Sequence, residues 1–82
     1  MSAMGTYTHL SLELEGLTLR LMAAHDGLQR TAQLHPAAPA PRWTADGAIA
    51  KALHRADLDM VDAINEVRRI AAFVERLASR EP

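Results

Sequence analysis

Between Ile49 and Leu77 the apolar residues keep one rhythm. They fall at Ile49, Leu53, Ala56, Met60, Ala63, Val67, Ile70, Val74 and Leu77, in steps of four and three throughout. That is the spacing of a helix that packs along a single seam. A second stripe of Ile64, Ala71 and Ala78 lies beside the first and widens the buried face. Thr44 or Asp46 can cap the N-terminus. The acids Asp57, Asp59 and Asp62 precede Arg68, Arg69, Arg76 and Arg80, an order that suits the helix dipole at its C-terminal end. The pattern predicts a helix over 45–79, about 50 Å long at ~1.5 Å per residue.

Upstream, the chain is interrupted once. His35-Pro36-Ala37-Ala38-Pro39-Ala40-Pro41 places three prolines within six residues, which cannot continue a helix and prefer an extended path. The bend is expected over 35–43. The segment before it reads in two ways. Leu10, Leu14, Leu17, Leu21, Ala24 and Leu28 keep the four-three rhythm of a helix. Leu10, Leu12, Leu14 and then Leu17, Leu19, Leu21 also alternate with period two, so that residues 8–21 could form a β-hairpin turning at Glu15-Gly16. Propensity favours a helix over 10–34, because Leu, Glu and Met are good helix formers and Val and Ile are absent. Gly16 and Asp26-Gly27 are its weak points, each glycine costing about 1 kcal/mol relative to alanine.

Two helices joined by a stiff bend give an all-α helical hairpin forming a single domain over 1–82. Two helices alone cannot enclose a core. Leu58, Val61 and Phe73 lie off the main seam, so the second helix is apolar over more than a narrow stripe. Burying each such side chain is worth ~1.5–3 kcal/mol. Dimerisation into a four-helix bundle, with a copy or with another helical protein, is the expected solution. At 82 residues the chain is small enough for such reinforcement to matter.

Composition narrows the function. With no cysteine, a disulfide framework and any thiolate metal or redox site are excluded. A net charge of −1 argues against nucleic-acid binding, which needs a concentrated cationic face. No apolar run approaches the ~18 residues of a membrane span. The opening Met-Ser-Ala-Met-Gly lacks the basic and apolar regions of a secretory signal. The expected location is cytoplasmic, or outside the cell by a route that needs no signal peptide. The alanine content and the preference for arginine over lysine fit a GC-rich bacterial genome.

Nothing in the chain reads as catalytic machinery, and no cofactor, metal or small-molecule substrate is expected. His9, His25, His35 and His54 have no histidine partner at helical spacing, and His25 reads as a surface side chain. Ser2, Ser11 and Ser79 lack a nucleophile-elbow context, and the glycines form no phosphate-cradling loop. Asp57, Asp59 and Asp62 read as a solvated acidic face, since no glycine-containing calcium loop accompanies them. Ile49-Ala50-Lys51-Ala52-Leu53, with Val61 and Ile64, imitates the skeleton of a helix-turn-helix regulator. No glycine or proline supplies the turn, and the acids would repel phosphates. Trp43, at the junction of the two helices, either lids the hairpin end with its ring or offers that ring as a docking anchor.

The segments Leu10-Ser11-Leu12-Glu13-Leu14-Glu15-Gly16-Leu17 and Trp43-Thr44-Ala45-Asp46-Gly47-Ala48, with a tryptophan in the inter-helix bend and an alanine-rich second helix, resemble a known family. It is the family of WXG-type helical hairpins and secretion-associated relatives that use the type VII (ESX) secretion systems of actinobacteria. The likeness spans most of residues 10–78. Trp43 and Gly47 stand three residues apart where Trp-x-Gly has one, and no Tyr-x-x-x-Asp/Glu export signal follows the second helix. The resemblance implies a non-catalytic four-helix homo- or heterodimer, with Trp43 at the hairpin tip and Leu53, Met60, Val67 and Val74 in the helical interface. Phe73 joins these as a residue expected to meet a protein partner. Small helical hairpins also serve as cytoplasmic chaperones, secretion-needle subunits, and antitoxin or immunity partners. Val67→Asp should cost several kcal/mol or abolish folding, while Arg76→Ala should leave the thermal melt nearly unchanged.

Overall fold

The computed structural model describes residues 5–35 and 41–81. They form two helices, α1 (Thr6–Ala32) and α2 (Ala45–Ala78), packed against each other as an antiparallel hairpin. Cα atoms extend over 62 × 17 × 13 Å, the dimensions of a rod two helices wide. Residues 36–40, the middle of the expected bend, lie outside the described residues.

The period-two reading of residues 8–21 is overturned, since the whole stretch is helical. Gly16, the turn that reading required, sits in the helix with open space where a Cβ would project. Leucines lose little rotamer freedom in a helix, and no valine or isoleucine pulls locally toward a strand. The helix also starts at Thr6, ahead of the Leu10 expected.

Capping contacts fix the ends of the hairpin. Gly5 has no side chain with which to cap α1. Instead the Glu81 carboxylate, at the far end of the sequence, accepts from the Thr8 backbone N–H (2.8 Å) and from its hydroxyl (3.2 Å). An anion there suits both the orphan amides and the positive end of the helix dipole. At α2, Thr44 is the cap, and its Oγ1 accepts from the Gly47 N–H at 3.1 Å. The same hydroxyl donates to the Pro41 carbonyl at 2.6 Å, and the Thr44 N–H reaches that carbonyl at 3.0 Å. The incoming chain therefore lies against the first turn of α2. Gly47 is buried there, and a Cβ on it would run into the Pro41 carbonyl.

Between these ends the helices share one seam. On α1 the side turned to α2 carries Ser11, Leu14, Thr18, Leu21, His25 and Leu28, all half-buried. On α2 it carries Leu53, Asp57, Met60, Ile64, Val67, Ala71 and Val74. Ile64 (8% exposed) and Val74 (5%) are the buried apolar side chains among the described residues. This corrects the expected seam. Leu53, Met60, Val67 and Val74 do face inward, but their companions are Ile64 and Ala71 of the second stripe. Ile49, Ala63 and Ile70 of the expected seam are exposed. The hairpin has turned each helix so that one edge of its wide apolar stripe meets the mate and the other faces water.

The two glycines make opposite predictions. Gly16→Ala should stabilise the fold by about 1 kcal/mol through helix propensity alone. Gly47→Ala should destabilise it by ~1–3 kcal/mol, because its methyl group must displace backbone. Urea unfolding of both variants checks the pair, and equal shifts would contradict the close approach at Pro41.

Candidate functional site

Helix geometry places one row of side chains on each flank of a two-helix seam. On one flank, Glu15 of α1 shares a cleft with Arg68 and Glu75 of α2, and Met22 and Gln29 share the next with Val61. This side is mixed in chemistry. The opposite flank follows from the same wheel, since residues two positions further along each helix lie across the seam. There α1 presents Leu10, Leu17, Ala24 and Thr31, and α2 presents Ile49, Ala56, Ala63, Ile70 and Leu77.

No charged side chain interrupts either of these rows. Four of their large members stand open to solvent, with Leu10 at 41%, Leu17 at 36% and both Ile49 and Ile70 at 46% exposed, while Leu77 is half-buried. The antiparallel course sets Leu10 level with Leu77, Leu17 with Ile70, and Ala24 with Ala63. Bulk therefore concentrates toward the open end, with small residues at the middle. Charges begin only at the outer edges, with Glu13 and Arg20 beyond the α1 row and Asp59, Glu66 and Arg80 beyond the α2 row. A helix that builds a four-helix bundle is apolar at the two seam positions and on one flank as well. Both helices have that third row, apolar but for Thr31 near the end of α1, and both turn it to the same side.

The residues expected to meet a partner divide into three groups. Leu53, Met60, Val67 and Val74 form the α2 side of the internal seam. Phe73 is 55% exposed beside the apolar face, with the Arg76 guanidinium 5.7 Å from its ring centroid. Trp43 lies at the other end of the molecule, 87% exposed. Its ring does not lid the hairpin, because the turn over 41–44 is held by Thr44 and Pro41 and turns the indole outward. The structure thus brings the four seam residues together and leaves Trp43 and Phe73 apart.

Two polar side chains lie elsewhere than their sequence context suggests. His25 is no surface histidine and Asp57 is not part of a solvated face: both enter the seam, with His25 Nε2 2.6 Å from Asp57 Oδ1. The carboxylate can only accept, so Nε2 carries the proton. A single sequence shows polar residues at Ser11, Thr18 and His25 beside an unbroken leucine row and gives no reason to turn the polar row inward. The spacing of His25 and Asp57 becomes meaningful only once the helices are antiparallel and aligned. Near the tip, His35 Nε2 lies 3.5 Å from Asp46 without a hydrogen-bond partner. Among the described residues no three potential metal ligands converge, and no helix is long and apolar enough to cross a membrane.

Compared with protein-family models, with curated proteins and with solved structures, the chain matches none.

A double-mutant cycle on His25→Ala and Asp57→Ala should return a coupling of about 0.5–3 kcal/mol by thermal or chemical unfolding. Additive effects would mean that the pair does not hold the helices in alignment.

Proposed function

We propose that this chain is a non-enzymatic helical interaction module that acts by laying its uncharged flank against another polypeptide. The supporting observation is the pair of apolar rows sharing one side of the hairpin, open at Leu10, Leu17, Ile49 and Ile70. Each such side chain gains ~1.5–3 kcal/mol on burial, and the internal seam has no room to take them. The unbroken course of α2 through residues 53–61 favours this reading over a helix-turn-helix regulator, and DNA binding at physiological salt is not expected.

The more specific form of the proposal is a type VII secretion-associated hairpin. The exposed Trp43 beside the first turn of α2 supports it, since the resemblance puts a tryptophan at the hairpin tip. Chaperone, antitoxin and immunity roles would use the same flank with a different partner.

A photo-crosslinking side chain placed at Ile70 in the host cell should yield a discrete polypeptide adduct. The same probe at Asp62, on the back of α2, should not. Equal labelling at the two positions would remove the flank from the function.

A further inference from the structure

We infer that the hairpin has a second seam, reached by turning both helices about their own axes, and that this turn conceals the uncharged flank. The rotation goes beyond the interaction reading, while its effect on docking rests on that reading. Each helix carries three adjacent rows, and its mate occupies two of them at a time. The middle row belongs to both pairings: Leu14, Leu21 and Leu28 on α1, and Leu53, Met60, Val67 and Val74 on α2. In the seam described above, the companion row is Ser11, Thr18 and His25, against Asp57, Ile64 and Ala71. The other choice of companion is the flank itself, Leu10, Leu17 and Ala24 against Ala63, Ile70 and Leu77. That choice restores the four-three series of both helices.

The geometry of the exchange is simple. Neighbouring rows of a seven-residue repeat lie about 50° apart around the helix, so a turn of that size swaps one for the other. Both flank rows lie on one side of the hairpin, so the helices counter-rotate like meshed gears. Neither has to slide, because Leu17 is already level with Ile70 and Ala24 with Ala63. The turn uncovers Ile64 and covers Leu10, Leu17 and Ile70, so burial of apolar surface does not hold the helices in the present arrangement.

Polar contacts hold it instead. The Thr18 hydroxyl donates to the Leu14 carbonyl of its own helix at 2.9 Å and asks nothing of α2. Among the described residues, side-chain hydrogen bonds cross between the helices at His25–Asp57 and, at the open end, where Thr8 donates to Glu81. The His25–Asp57 contact at 2.6 Å is the latch within the seam, since the turn swings both side chains out to water. A partner that covers the flank binds only the latched form, and so selects it.

The chain has no cysteine, so single introduced cysteines report each row by their rate of reaction with a soluble thiol reagent. Thr18→Cys reports the row now inside, and Leu17→Cys the row now outside. His25→Ala leaves the Asp57 carboxylate unpaired in the seam and favours the form that turns it to water. In that background Thr18→Cys should react about threefold faster and Leu17→Cys slower by a similar factor, with circular dichroism still helical. Asp57→Ala should act in the same way. Ala24→Glu puts a carboxylate on the row that enters the second seam, so adding it to His25→Ala should return both rates to their starting values. Rates that rise together, or that do not move, overturn the inference. So does loss of helix in both His25→Ala and Asp57→Ala, since a second seam would have sustained it. Labelling uses the purified chain alone, so crosslinking at Ile70 in the cell decides the interaction reading separately.

Discussion

Two packed helices touch along a single line, and how that line is placed on each helix governs everything else in this molecule. A helix with two apolar rows can be satisfied by one neighbour. A helix with three cannot. Both helices here are of the second kind, and the hairpin resolves the conflict by turning a partly polar row inward and an apolar row out. Ser11, Thr18, His25 and Asp57 take places that leucines elsewhere on the same helices could have filled. The His25–Asp57 contact and the Glu81 clasp on Thr8 then hold the alignment that hydrophobic packing alone leaves loose. The exposed flank is thus the other face of the internal contact, not a separate decoration.

Much of this architecture is legible in the residues. The four-three rhythm of Ile49–Leu77 specifies a long second helix, and the prolines specify where the chain must reverse. Thr44 caps α2 because a hydroxyl before an alanine-rich run satisfies an orphan amide wherever it occurs. These are local statements, and local chemistry decides them. The residues 8–21 were harder because leucine at every second position satisfies both periods at once. The helix propensity of Leu, Glu and Met and the absence of Val and Ile tilt the balance toward helix.

Orientation about each helix axis was not legible. The leucine series Leu10, Leu14, Leu17, Leu21 looks like the natural inner face, yet Leu10 and Leu17 are exposed. An inner face is a property of two helices and their relative alignment, and the long-range contacts that set it join residues 32 and 73 positions apart. Trp43 illustrates the same limit. Composition marks it as a residue of consequence, but its outward position depends on how Pro41 and Thr44 shape the turn, and Gly47 was needed to admit that turn at all.

The polar inner row carries a consequence for the folded state itself. Hydroxyls, an imidazole and a carboxylate contribute less cohesion than the leucines they displace, so an isolated hairpin holds together weakly. If a polypeptide covers the open side, as proposed, it binds the folded form and not the unfolded one, and so stabilises the hairpin by mass action. Under that proposal the melting temperature becomes a function of how much of the covering partner is present.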